Sequence, residues 1–433
     1  MSLPMYPQYK DSGVTWIGQM PAHWRIQPLL SIAPERYDSN AGMLEDNLLS
    51  LSYGRIVRKD IESNDGLLPE SFETYQIVRP NDIVFRLTDL QNDKRSLRTA
   101  IVEEQGIITS AYVAAKPSGI NARYLNYLLR AYDVTKVFYS MGGGLRQSMK
   151  FSDIKRLPVI VPTVAEQTAI ATFLDRETGK IDALIAEQNK LLALLGEKRQ
   201  AIISHAVTKG LNPDVPMRDS GVAWLGEVPE HWRVCPLKFL VTFSSGGTPS
   251  KENLDYWDGD LPWASAKDLK VETLHDTSDH ITQLAVDNRA ASLLPAGTVL
   301  VVVRGMILAR IFPVTQIAVP MAINQDLKGL HPTEALDSNY LAWLLRGSAD
   351  ESLQRLDEAG HGTKALRMDA WSSMQLPVPP RDEQIEIASF LDAETAKHDT
   401  LRSESERAIT LLKERRSAVI AAAVTGQIDV RQT

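Results

Sequence analysis

The chain states its opening segment twice. DSGVTWIGQMPAHWRIQPL at residues 11–29 returns as DSGVAWLGEVPEHWRVCPL at 219–237, with 12 of 19 positions identical. A duplication constrains every later inference, because both copies must build the same local structure. Two further blocks recur in the same order. YLNYLLR at 124–130 returns as YLAWLLR at 340–346, and LPVIVPTVAEQTAIATFLDRETGKIDAL from Leu157 returns as LPVPPRDEQIEIASFLDAETAKHDTL from Leu376. The offsets are 208, 216, 219 and 217 residues, so the halves differ by a few insertions only. Residues 30–123 and 238–339 show no comparable match. A kept frame with changed contents predicts one architecture presenting two different recognition surfaces. Two copies of one active site would instead repeat their polar cluster. Drift after duplication, with only core-forming segments staying alike, yields the same pattern and is the competing explanation.

Length and charge narrow the choice. A chain of 433 residues accommodates two or three domains, each with its own core. There is no basic-then-apolar leader and no apolar run near 18 residues, which predicts a soluble, cytoplasmic chain. Cys235 is the single cysteine, so one chain builds neither a disulfide framework nor a thiolate zinc site. A net charge of -7 opposes a simple basic nucleic-acid binder, since phosphate contacts need Lys and Arg. The charge is uneven, however: residues 25–156 hold 18 Lys+Arg against 16 Asp+Glu, and residues 233–375 hold 13 against 17. Any DNA-binding face is therefore a local cluster, helped by partner subunits.

The expected fold class is α+β: two α/β recognition modules in tandem, linked by two long helices in an antiparallel coiled coil with internal pseudo-twofold symmetry. The boundaries fall at 1–156 for the first module, 157–210 for a central helical region, 211–375 for the second module and 376–433 for a C-terminal helical region. Short strand-like runs at Gln76 to Val78, Asp82 to Phe85 and Thr298 to Val303 are broken by Gly, Pro, Asn and Asp. In the opening motifs Gly13, Gly18 and Pro21, with Gly221, Gly226 and Pro229, argue against a regular helix or strand, and Trp16, Trp24, Trp224 and Trp232 anchor the segment to a core. Beyond Pro162 and Pro379, apolar residues fall on helical stripes for roughly 40 residues, or about 60 Å. The residues assigned to helix pairing are Leu174, Ile181, Leu184 and Leu195, with Leu391, Leu401, Leu411 and Leu412. Gly179 and Gly196 weaken the first helix locally. Modules held at opposite ends of such a rod suit the half-site spacing that dimeric DNA readers use.

Catalytic signatures are missing. The run from Gly246 to Lys251 has the wrong spacing for a phosphate loop, Gly142 to Gly144 lack the third glycine of a dinucleotide turn, and neither H-E-x-x-H nor G-x-S-x-G occurs. No catalytic or metal-ligating residue is assigned. His23 and His231 alone recur among the histidines, and buried hydrogen bonding in a turn is their expected role. Basic clusters are more informative. Arg55, Arg58 and Lys59 group in SYGRIVRKD, while Arg86, Lys94, Arg95 and Arg98 group in FRLTDLQNDKRSLR beside Gln91 and Asn92. The second half has Thr248 and Lys251 in a Gly-rich loop, then Trp263 and Lys267. Both halves set glycines and cations before LPV: Arg146 and Lys150 after Gly142 to Gly144, and Lys364 and Arg367 after Gly360 and Gly362. Glycine lets backbone approach phosphate and the cations neutralise it, so these residues are the candidate DNA contacts.

With these motifs in hand, the chain resembles a specificity (HsdS-type) subunit of a type I restriction-modification system. The resemblance rests on the DSG-x-x-W-(I/L)-G-x-x-P-x-HW segments, on Glu166, Gln167, Phe173, Leu174 and Asp175 with Glu383, Gln384, Phe390, Leu391 and Asp392, and on the GG-TPS loop. It implies a non-catalytic subunit whose two target recognition domains each read half of an asymmetric bipartite site in double-stranded DNA, with the helices setting the spacer. It further implies two methyltransferase subunits and restriction/translocase subunits as partners, with S-adenosylmethionine, ATP and Mg bound on those partners and no cofactor in this chain. A scaffold with two protein-interaction modules that never touches DNA is the alternative.

Overall fold

The computed structural model describes residues 4–61, 71–90, 97–141, 148–358 and 363–431. Two compact units emerge, and neither is contiguous with one half of the repeat. The first comprises Met1–Asn189 and Glu406–Thr433; the second comprises Lys190–Ser405. Four helices organise them: α1 (Ala122–Val134), α2 (Val164–Lys209), α3 (Ser338–Gly347) and α4 (Arg381–Val424). The two long helices pack together, and each contributes its first part to one unit and its last part to the other.

In the first unit the opening motif is a hairpin rather than wholly irregular chain. Tyr9–Asp11 pairs antiparallel with Gln19–Pro21, and the turn between them holds Gly13 and Gly18 at φ +69 and +68°. The same hairpin recurs in the second unit, where Met217–Asp219 pairs with Glu227–Pro229. The glycines were read as breaking the segment; they instead supply the left-handed turn residues that let short strands meet. Arg25–Pro28 then pairs with Pro158–Val161, tying the motif to the strand that feeds α2. Between these lie a four-stranded antiparallel sheet, a three-stranded sheet and the Leu49–Ser52/Arg55–Arg58 hairpin. The Gln76–Val78 and Ile83–Phe85 runs are strands as expected.

The second unit is built on a five-stranded sheet whose middle strands are Leu327–Pro332 and Val299–Val302, the latter buried along its whole length. A four-stranded sheet centred on Trp257–Ala264 and Met321–Ile323 includes one parallel pairing. Of the four anchoring tryptophans, Trp24 and Trp232 are fully buried, whereas Trp16 remains exposed at the surface with its ring edge on Tyr132.

Each core is completed by the end of a long helix. Ile420, Ala423 and Val424 of α4 join Trp24, Leu29, Tyr124 and Leu174 in the first unit. Ile203, Ala206 and Val207 of α2 join Trp232, Leu237, Tyr340 and Leu391 in the second. Both helices stop at a left-handed glycine, Gly210 or Gly426. The C-terminal segment is bound where the chain begins: the Asp429 amide donates to the Pro4 carbonyl, and the Tyr9 hydroxyl donates to the Gly426 carbonyl.

The helix seam differs from the stripe of leucines read from sequence. The less exposed positions on α2 are Ile181, Ile185, Gln188, Leu192, Leu195, Arg199 and Ile202, stepping by four and three. Those on α4 include Thr395, His398, Ser405, Ile409, Leu412, Arg416 and Val419. Ile181, Leu195 and Leu412 therefore face the seam, and Leu174 and Leu391 belong to the unit cores. Leu184, Leu401 and Leu411 are about half exposed and lie off it. The seam carries Gln, Thr, His and Ser, so ranking by hydrophobicity chose leucines that flank it.

Candidate nucleic-acid interface

The repeated motifs turn out to be a framework that holds the modules on the helices. The Thr163 amide and hydroxyl donate to Glu166 Oε2 at 3.0 and 2.6 Å, fixing the carboxylate at the start of α2. Its other oxygen lies 2.8 Å from His23 Nε2 and 3.2 Å from Trp24 Nε1. Burial works against the charge, but these hydrogen bonds together hold the Glu166 carboxyl below its usual range. Glu383 repeats the clasp, 2.8 Å from His231 and 3.0 Å from Trp232. The recurring histidines thus hydrogen-bond as expected, but they are not buried: their rings stay nearly half exposed.

The neighbouring glutamines anchor the short helices. Gln167 accepts from the amide of Asn121, the cap of α1, at 2.7 Å, and Gln384 accepts from Asp337, the cap of α3, at 2.7 Å. About two turns further on, Asp175 accepts from Arg123 at 2.6 Å and from the Tyr127 hydroxyl at 2.8 Å; Asp392 accepts from Asn339 and Trp343, both at 2.8 Å. The EQ residues and the aspartates of FLD are therefore connectors, Gln167 and Gln384 buried and Asp392 exposed. They fix the modules to the helices and leave the intervening segments free to differ.

Those segments carry the candidate contacts. In the first unit the Leu49–Ser52/Arg55–Arg58 hairpin turns through Tyr53 and Gly54, both at positive φ. It presents Arg55, Arg58 and Lys59 to solvent. Arg58 is paired with Glu104, Arg55 lies 3.9 Å from Asp182, and Lys59 has no ion-pair partner among the described residues. Arg86 is partly buried and its amide donates to the Arg98 carbonyl. Lys94, Arg95, Arg146, Gln91, Asn92 and Gly142 to Gly144 lie outside the described residues.

Arg98 is a correction. Its side chain is fully buried and donates to the carbonyls of Thr88 and Asp89 and to the Tyr139 hydroxyl, so it stitches the loop to the core and is inaccessible to phosphate.

In the second unit the Gly-rich loop is locked to the turn after Met321–Ile323. A Cβ on Gly246 would lie 2.0 Å from the Ile323 carbonyl oxygen, so only glycine fits. The Gly247 amide donates to that same carbonyl at 2.9 Å. Trp263 is likewise corrected: it is buried against Trp257 and its indole donates to the Gly247 carbonyl at 3.0 Å, holding the loop rather than stacking on a base. What the loop presents is Thr248, whose hydroxyl donates to Gln325 Oε1 at 2.6 Å, and the exposed Lys251. Sequence reading missed Gln325; the Gly246–Gly247 pair was the signal that some backbone must approach closely there. Lys267 pairs with Asp279 at 2.7 Å, Lys364 with Glu358 at 2.6 Å, and Arg367 lies 3.8 Å from Asp357. Among the described residues no group of three or more His, Cys, Asp or Glu is placed to hold a metal ion, and no helix is long and apolar enough to cross a membrane.

Comparison with known proteins follows the same frame. A family model described as type I restriction modification DNA specificity domain matches residues 229–410. The specificity subunit of the Escherichia coli type I restriction enzyme EcoR124I/EcoR124II is 27% identical over 289 residues, which is 65% of this chain and 65% of that protein, just under two thirds of its length. The MjaX specificity subunit of Methanocaldococcus jannaschii is 21% identical over 443 residues, 98% of each. Among solved structures, a chain from a study of complex assembly in a type I R-M system superposes with a TM-score of 0.71 at 15% identity, covering 94% of this chain and 98% of that one. The HsdS subunit from Thermoanaerobacter tengcongensis superposes with a TM-score of 0.51 at 15% identity and the same coverage.

Proposed function

We propose, from the premise that this chain belongs to the DNA specificity subunits of type I restriction-modification systems, that it supplies the address for a methylation and cleavage machine and none of its chemistry. Each unit reads one half of an asymmetric bipartite site, the paired helices set the spacer between the halves, and two methyltransferase subunits and the restriction subunits are directed there. S-adenosylmethionine, ATP and Mg belong to those partners.

The observation that carries the reading is the division of labour within each unit. The repeated residues Glu166, Gln167 and Asp175, with Glu383, Gln384 and Asp392, are spent on holding module to helix. The variable segments present unlike surfaces: a cationic hairpin at Arg55 to Lys59 in one unit, and in the other a loop bearing Thr248 and Lys251 against Gln325 of the neighbouring turn. Two different readers on one frame suit a site whose halves differ in sequence. The exposed leucines Leu184, Leu191, Leu194, Leu401 and Leu411 give the helices apolar surface that suits docking of partner helices.

Adenine-methylation profiling of the host genome with and without this gene tests the proposal. A bipartite motif of fixed spacer that disappears with the gene supports it and gives the target. An unchanged methylome in cells expressing the partner methyltransferase rejects it in favour of the scaffold alternative.

A further inference from the structure

The Tyr-Leu-x-x-Leu-Leu-Arg blocks end on arginines that do the same work in the two units. Arg130 donates to the Gly54 carbonyl, and Arg346 donates to the Glu272 carbonyl at 2.7 Å. Beside each stands an arginine from the last part of a long helix: Arg416 lines the same cleft as Arg130, and Arg199 the same cleft as Arg346. Arg199 and Arg416 are themselves related by the 217-residue repeat.

There the likeness ends. In the second unit the Glu272 side chain forms an ion pair with Arg199, so the module supplies its own carboxylate to this arginine pair. In the first unit the residue whose carbonyl serves Arg130 is Gly54, followed by Arg55, which adds a third guanidinium where the other unit has an acid. The resulting cleft has a volume of about 420 Å³. Two acids line it. Asp182 is already engaged by Arg416 through two bonds of 2.8 and 3.2 Å and lies 3.9 Å from Arg55, and Glu103 is exposed.

Among the described residues, two buried polar atoms in this lining have no hydrogen-bond partner. Arg130 Nε lacks an acceptor, although its counterpart Arg346 Nε donates to the Val314 carbonyl at 3.2 Å, and Asn126 Oδ1 lacks a donor. Such groups are costly to leave unpaired. The Arg130 guanidinium is also made more acidic, by burial first and then by the neighbouring charges of Arg416 and Arg55. A phosphodiester offers such a cleft acceptors only. An acidic residue on a polypeptide brings both a carboxylate and an N–H.

We infer that this cleft in the first unit is a socket for an acidic side chain of a partner chain, which supplies from outside the carboxylate that Glu272 supplies from within the second unit. Resting on the specificity-subunit reading, the partner is the modification subunit.

The test uses the full chain assembled with its modification subunits and the variants Arg55→Glu and Arg55→Lys. The Arg55 side chain is 75% exposed, so neither change disturbs a core. Arg55→Glu is expected to weaken association of the modification subunit by about tenfold or more, with a marked dependence on salt, and Arg55→Lys by less. Unchanged association together with weaker DNA binding and a shallower salt dependence would assign the cleft to a phosphate and overturn the proposal. No change in either quantity would overturn it as well. Failure of the specificity-subunit reading shows itself separately, as the absence of any gene-dependent methylation motif.

Discussion

Arg416 grips Asp182 with its Nε at 2.8 Å, joining the last part of α4 to the first part of α2, and the repeat-equivalent Arg199 of α2 reaches toward Asp399 of α4 at 3.5 Å. Both pairs have residue numbers that sum to the same value, as an antiparallel register requires. The seam is otherwise rich in polar residues, so these pairs fix register more than they add stability.

A double-mutant cycle on Asp182 and Arg416 should therefore give a modest coupling of about 1 kcal/mol, since both side chains are a quarter or more exposed. Calorimetric melting of the two single variants and the double variant measures it. Coupling of several kcal/mol would show the pair to be a main support of the helix seam.

The terminal glycines should respond unequally. Gly426 sits at φ +76°, and a Cβ there would lie 2.3 Å from Pro21 Cδ, whereas at Gly210 the nearest atoms are 3.2 Å away. Gly426→Ala combines backbone strain with a clash and should cost roughly 2–4 kcal/mol; Gly210→Ala should cost about 1. Equal shifts in melting temperature would contradict the packing of the C-terminal segment on the opening motif.

Asp133 makes the first unit sensitive to acidity. Burial raises its carboxyl to about 6, above the value near 3.9 of the unfolded chain. The folded form holds this proton more tightly, so its contribution to stability is complete below about pH 4 and is lost as pH rises through about 6. Asp133→Asn removes that term. The melting temperature of the variant relative to the parent should rise between pH 4 and pH 7, and a constant difference over that range would refute the assignment.

Basic residues drawn from one reading of the sequence should separate into two classes. Lys251→Glu should weaken DNA binding by the assembled complex and lower the salt slope by about one, leaving melting unchanged. Arg98→Met should instead lower the melting temperature, because it leaves the buried carbonyls of Thr88 and Asp89 without their donor. Loss of DNA binding by Arg98→Met at unaltered stability would return Arg98 to the DNA-contacting class.

Inserting seven residues in each long helix, after Leu184 and after Leu401, preserves the four-and-three seam and lengthens both helices by about 10 Å. The spacer of the methylated motif should grow by about three base pairs, given about 3.4 Å of duplex per base pair. An unchanged spacer would rule out the helices as its measure.

The frame was legible in the sequence because repetition marks it. The His-Trp, EQ and FLD residues recur since each contact they make is needed twice, and the long helices announce themselves by their period. The seam was less so, because Thr395, His398 and Ser405 occupy it while Leu401 and Leu411 face outward. Among candidate contacts, charge alone did not distinguish Arg98, turned inward to carbonyls, from Arg58, turned outward to Glu104. That difference arises from partners 9 to 46 residues away along the chain, which residue type does not encode. Gln325 escaped notice for the same reason: its side chain matters through the Thr248 hydroxyl that orients it, across 77 residues.

The exchange of helix ends between the cores has a genetic corollary. Neither half of the repeat is self-sufficient: residues 1–210 lack Ile420, Ala423 and Val424, and residues 211–433 lack Ile203, Ala206 and Val207. A gene for a single half could fold only by lending its helix end to a twin and borrowing the twin's in return. The present chain has the form that joining such a reciprocal pair end to end would yield.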